Sequence, residues 1–191
     1  MTGARLVLLR HGEAQADGRC AGQRFDPPLS PRGRSQARSA LARLPEPIDA
    51  LATSPATRAR ETAAVWPLAG RVEAELAERD FGSWEGRPWQ ELWPTVPPPV
   101  LGDPAAYAAY TPPQGESVDA VTERAWAAAQ RLTAEAGTTV LAVTHAGPLR
   151  LVVARALGLD PAGAFALAAS HGRAAVLVRH GNSWILERLG A

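Results

Sequence analysis

The chain predicts an α/β fold: a three-layer sandwich whose mostly parallel central sheet is covered by helices on both faces. Three observations lead there. Short continuous apolar runs at residues 5–9, 49–53 and 139–144 have the character of strands buried on both faces. The second and third runs lead directly into residues suited to start a helix, and the first reaches one at Ser30-Pro31 after a loop. Strands alternating with helices imply parallel pairing with crossover helices.

The elements follow in order. Residues 5–9 (Arg5-Leu-Val-Leu-Leu9) are the first strand. Residues 12–29, with their glycines and Pro27-Pro28, read as loop. Ser30-Pro31 then opens a helix, a serine cap with proline at the first position, running to about Leu44 and ended by Pro45 and Pro47. Residues 49–53 are the second strand. Ser54-Pro55 repeats the cap-plus-proline pattern and predicts a helix to about Trp66. Residues 71–74 are a weaker third strand, and 78–87 show no period. The stretch 94–113 holds seven prolines and is expected to be an irregular surface excursion, not a core element. Ser117 caps a helix with apolar residues at Val118, Val121, Ala125, Ala128, Leu132 and Ala136. Residues 139–144 are a buried strand, Gly147-Pro148 starts a helix, and Gly158 closes it. Residues 174–179 and 183–188 flank His180-Gly-Asn182 as a hairpin. Residues 1–191 are read as one domain.

Composition narrows the function. The chain has 191 residues, 46% hydrophobic and 20% charged, as in ordinary globular proteins. A net charge of +1 provides no basic field for a nucleic-acid partner. The apolar run at 6–9 is too short for a leader or membrane span, so no membrane partner is expected. A lone cysteine, Cys20, fits a reducing, cytoplasmic setting and is a poor basis for a metal site.

The chemistry gathers at strand ends. Arg10-His11-Gly12-Glu13 follows the first strand, Ser54-Pro55-Ala56-Thr57-Arg58 the second, and Thr144-His145-Ala146-Gly147 the buried strand at 139–144. Open α/β sheets bind ligands at the carboxyl ends of strands. Arg10 and Arg58 supply forked, permanently charged donors that match a phosphoryl dianion. A histidine beside arginines can stay neutral and act as a nucleophile. A carboxyl group must then protonate the leaving oxygen. Taken singly, each of these residues also has an ordinary structural reading. The second Arg-His-Gly, at 179–181, sits in the expected hairpin and is read as structural; so is His171, which lacks a motif.

Leu9-Arg10-His11-Gly12-Glu13 resembles the signature of the histidine phosphatase superfamily, the phosphoglycerate-mutase-like proteins. Further motifs follow in order: Asp26-Pro-Pro-Leu-Ser30 with Gly33 and Gln36-Ala37; Ser54 to Thr62; Glu78 to Gly86; Gly115-Glu-Ser117; and Val143-Thr-His145-Ala-Gly147. The resemblance implies a phosphoglycerate-mutase-like fold, His11 as nucleophile, and Arg10, Arg58 and His145 as the phosphate pocket. Glu78 matches the proton donor. No metal or other cofactor is implied. The sequence is similar to α-ribazole-phosphate phosphatases, and broad phosphomonoesterases share its features. Asp17 stands where the family often has Asn, and ionised it would repel phosphate unless turned away, paired with Arg19 or Arg24, or met by a donor on the substrate. Trp84, Trp89, Trp93, Tyr107 and Tyr110 either line a pocket for a planar base, with Trp84 as a substrate contact, or anchor the proline-rich stretch. The expected partner is a small phosphorylated metabolite, and a homodimer is compatible with the sequence. A mutase and a non-catalytic phospholigand-binding module are the alternatives to a metal-independent phosphomonoesterase.

Overall fold

The structure, a computed structural model, describes residues 3–44, 47–97, 100 and 102–191. Its centre is a six-stranded sheet in the order β3-β2-β4-β1-β5-β6. The strands are β1 (Ala4–Arg10), β2 (Ala50–Thr53), β3 (Gly70–Val72), β4 (Thr139–Thr144), β5 (Ala174–His180) and β6 (Ser183–Leu189). The four strands β3, β2, β4 and β1 are parallel. β5 runs antiparallel to β1, and β6 pairs with it as the expected hairpin.

Strand periodicity sends alternate side chains to opposite faces, which explains why these runs are apolar throughout. Leu6, Leu8, Val140 and Ala142 pack on one face with Ala125, Ala128, Leu149 and Val152 from α5 (Val118–Leu132) and α6 (Ala146–Ala156). Val7, Leu9, Leu141 and Val143 pack on the other with Ala40, Ala59 and Ala63 from α1 (Pro31–Leu41) and α2 (Thr57–Ala63). The expected three layers are therefore present, with helices on both faces.

Several boundaries differ from expectation. α1 starts as read, with the Ser30 hydroxyl accepting from the Gly33 amide, but ends at Leu41. Pro45, expected to stop it, lies outside the described residues. α2 begins at Thr57, and Ser54 is not its cap. Asp26, 31 residues earlier in the chain, accepts from the Thr57 amide at 2.9 and 3.0 Å and from its hydroxyl at 2.7 Å. A carboxylate from a distant loop does what a local serine was expected to do. α5 stops at Leu132, short of Ala136, and α6 begins at Ala146 with His145 as N-cap.

The proline-rich stretch is more ordered than expected. α3 (Trp89–Leu92) leads into it, and α4 (Pro104–Ala109) lies within it, capped by Asp103 with Pro104 in its first turn. Val96 and Val100 are buried with Trp84, Leu92 and Cys20 in a small cluster of their own. Apolar residues between prolines fold inward once aromatic surface is available to cover. Pro98 and Pro99 lie outside the described residues.

Glycine sets one close approach that matters for the site. A Cβ at Gly33 in α1 would sit 2.0 Å from the Glu13 carbonyl oxygen, and one at Gly12 would sit 2.3 Å from the Gly33 carbonyl oxygen. The loop that follows His11 therefore lies directly on α1. Gly33→Ala should lower unfolding free energy by about 1–3 kcal/mol through overpacking, although alanine favours a helix by about 1 kcal/mol over glycine. Urea denaturation of the two proteins measures the balance.

Candidate active site

The register explains the convergence. β4 lies between β1 and β2, with Arg10 opposite Thr144 and Thr53 opposite Val143. One residue further on, the His11 amide donates to the Thr144 carbonyl and the Ser54 amide to the Val143 carbonyl, each at 2.9 Å. His11, Ser54 and His145 therefore leave the sheet side by side at its carboxyl edge. The first turn of α2 brings Arg58 to the same place. His11, Ser54, Arg58 and His145 are all buried.

The His11 and His145 rings meet edge to face with centroids 4.9 Å apart. His11 Nδ1 lies 2.6 Å from the Gly12 carbonyl oxygen, which assigns it the proton. Nε2 then carries the lone pair and accepts from Arg58 Nε at 3.3 Å. The rest of the Arg58 fork donates to Gly22 O at 2.8 Å and to Asp26 Oδ1 at 3.3 Å. His145 Nε2 is 2.7 Å from Ser54 Oγ, so the serine expected as a helix cap orients a histidine instead. Arg10 donates to Ala169 O at 2.6 Å and to His171 Nε2 at 2.7 Å. Among the described residues, two buried side-chain nitrogens have no partner: Arg10 Nε and His145 Nδ1. Both belong to this cluster, and buried donors are rarely left unpaired without a reason.

A cavity of about 540 Å³ opens over the cluster, lined by Arg10, His11, Arg58, Glu78, His171 and the loop at 13–19, with Phe81 and Trp89 on one wall. Sequence reading missed His171. It lies in no motif, and only the fold brings its ring to within 5.6 Å of His11. Asp17 also lines the cavity, exposed at a left-handed φ of 51°. Neither expected cation is bonded to it: Arg19 donates to Gly86 O and Arg24 to Asp80. Trp84, read either as a substrate contact or as an anchor for the proline-rich stretch, does not line the cavity. It is buried and stacked on Tyr110 at 5.6 Å, because a large indole beside Cys20, Leu92 and Val96 gains more from being covered. Trp89 faces the cavity in its stead. The second Arg-His-Gly lies in the hairpin at the opposite end of β1, where Arg179 pairs with Ala4.

Glu78 is held by its loop, and the loop by α5. The carboxylate accepts from the Arg79 amide at 2.9 Å and lies 3.5 Å from the Gly147 amide. Arg124 of α5 uses all five of its N–H groups here. It donates to the carbonyls of Glu75, Ala77 and Glu78 and, in a two-pronged pair, to Glu116. Glu85 accepts from the amides of Gln23, Arg24, Phe25 and Phe81, which fixes the opposite loop. Among the described residues, no group of three or more His, Cys, Asp or Glu side chains could hold a metal ion, and no helix is long and apolar enough to cross a membrane.

Burial, then the positive charge of Arg58, pushes the His11 imidazole well below its ordinary range, against the opposing pull of the Gly12 carbonyl. Burial and the neighbouring His11 do the same for His145. Both rings are neutral at pH 7. An unfolded chain takes up these protons near pH 6.5 and the folded chain only at much lower pH. The stability contribution is therefore complete above that range and drains as pH falls below it. Unfolding free energy should decline from pH 6.5 to 5 with a slope approaching about 1.4 kcal/mol per pH unit for each of the two rings. Urea midpoints across that window measure it, and a flat profile would contradict the assignment.

Comparison with known proteins agrees with this geometry. The sequence is 34% identical over 170 residues to the bifunctional protein Rv2228c of Mycobacterium tuberculosis, covering 82% of this chain and 45% of that one. The chain thus spans less than half the length of that relative. It is 34% identical over 174 residues to the adenosylcobalamin/alpha-ribazole phosphatase of Salmonella typhimurium, covering 83% and 82% of the two chains. The solved structure of mycobacterial glucosyl-3-phosphoglycerate phosphatase Rv2419c superposes with a TM-score of 0.85 at 28% identity, over 98% of each chain. The sequence pattern of the histidine phosphatase superfamily (branch 1) matches residues 6–191, and the chain belongs to that superfamily.

Proposed function

We propose that the protein is a phosphomonoesterase that works through a phosphohistidine on His11, without a metal. The observation that carries this is the cluster itself: a neutral imidazole with its lone pair on Nε2, set among two guanidinium groups and a second histidine, two of whose nitrogens lack partners. A phosphoryl group bound there would accept from Arg10, Arg58 and His145 and spread its charge over permanent donors.

Two steps follow. His11 Nε2 attacks phosphorus, the P–O ester bond breaks, and the Glu78 carboxyl gives its proton to the departing oxygen. Water then attacks the phosphohistidine, the P–N bond breaks, and the Glu78 carboxylate takes the proton from that water. The arginines supply the positive charge that a divalent cation supplies in many phosphoryl-transfer enzymes.

The substrate we propose is a small phosphorylated metabolite, with α-ribazole 5'-phosphate first among candidates. The Salmonella relative supports it, as does a cavity in the size range of small-molecule sites with Phe81 and Trp89 on its wall. Asp17 at the mouth favours a substrate that brings a hydrogen-bond donor over one that brings a second anion. The six-stranded sheet supports reading the chain as one domain, and the lone cysteine supports a cytoplasmic setting.

Two measurements test the scheme. In buffer containing EDTA, the wild type should release inorganic phosphate from p-nitrophenyl phosphate, and His11→Ala should lower kcat by on the order of a thousandfold or more. Activity lost to EDTA and restored by a divalent cation would overturn the metal-free scheme. Glu78→Gln should slow alkyl phosphates far more than p-nitrophenyl phosphate, whose leaving group needs little help from an acid. Equal slowing of both would remove Glu78 from the acid role.

A further inference from the structure

We infer that His171 is a positioning residue for Arg10, chosen to hold the guanidinium without neutralising it. The inference rests on the phosphatase reading and adds a residue to it.

The turn that carries His171 is fastened to the end of β1. The Gly172 amide donates to both the Arg10 carbonyl at 3.1 Å and the His11 carbonyl at 3.2 Å, and the Arg10 amide donates to the Arg173 carbonyl at 3.0 Å. Gly172 adopts a φ of +66°, and a Cβ there would sit 2.9 Å from Gln36 Cβ. From the far side, Arg43 donates to the Gly172 carbonyl at 2.8 Å. The imidazole is therefore presented at a fixed place, half-buried in the cavity wall beside the His11 ring.

From that place it accepts from Arg10 Nη2 at 2.7 Å while Ala169 O accepts from Nη1 at 2.6 Å. Both acceptors are neutral. Burial and the adjacent guanidinium bring the His171 pKa down to about 4, so the ring keeps the lone pair it needs to accept. A carboxylate could orient Arg10 equally well, but it would cancel the charge and repel the incoming anion. Arg58 contrasts with this arrangement, since Asp26 already shares part of its charge. Among the described residues no carboxylate pairs with Arg10, although Glu78 acts on it across the cavity, and its Nε remains unpaired. Glu13 and Arg32 are the other charged groups that act on the His171 ring, with opposite signs.

Three substitutions separate holding from charge. His171→Gln keeps a neutral acceptor, His171→Leu removes it, and His171→Glu keeps an acceptor but adds a negative charge. Inorganic phosphate binding is read by titration calorimetry, kcat/KM with p-nitrophenyl phosphate, and folding by the melting midpoint. The glutamine variant should bind phosphate within about threefold of wild type. The leucine variant should bind about tenfold more weakly, the scale of a lost hydrogen bond to a charged group. The glutamate variant should bind more weakly still, and kcat/KM should follow the same order. Should the leucine variant fail to fold, the order of the glutamine and glutamate variants decides. Leucine binding phosphate as tightly as wild type, or glutamate as tightly as glutamine, overturns the inference while leaving the phosphatase reading intact. A wild-type protein that neither binds nor hydrolyses overturns both.

Discussion

A buried guanidinium pressed against a buried imidazole is the constraint from which the rest of the site follows. Arg58 is 1% exposed and donates to His11 Nε2. That contact is stable only while the imidazole is uncharged, since a second positive charge at 3.3 Å in a water-poor interior would cost far more than burial returns. The same requirement leaves His11 Nε2 with its lone pair, the form in which the proposed nucleophile would act. Folding and the proposed attack on phosphorus thus make one demand on His11: stay neutral.

The charge on Arg58 must still be answered, and loop carboxylates and carbonyls answer it. Asp26 turns to the first residues of α2, capping the helix and meeting the Arg58 fork together. Glu85 gathers four amides and so holds the segment whose Gly22 carbonyl accepts from Arg58. Glu116 and Arg124 fix the strip that bears Glu78. The sheet supplies three strand ends in register, and carboxylates recruited from loops close the cavity above them.

This division of labour explains what was legible in the sequence. Buried strands repeat an apolar pattern, so β1, β2 and β4 were readable to within a residue or so. Arg10, His11, Arg58 and His145 were readable because each follows a strand end, and the register brings them together. Glu78 was readable only through the family pattern, since nothing in its spacing sets it apart from Glu73, Glu75 or Glu85. Ser54 was misread because a serine before a proline has the look of a cap; its hydroxyl is instead committed to His145, and the cap comes from a residue far back in the chain. His171 gave no local signal, for its neighbours in space are distant in sequence. Trp84 was left between substrate wall and anchor for the proline-rich stretch because aromatic side chains serve equally well as either, and composition does not separate the two.

The first turn of α6 has one further consequence. A Cβ at Gly147 would meet Glu78 Oε1, so any side chain there would push the carboxylate from its place. Position 147 and the Glu78 carboxylate therefore share one parcel of space. Any library that varies residue 147 is in effect a library of carboxylate placements, and mutational drift at that site is gated by a residue 69 positions away in the chain.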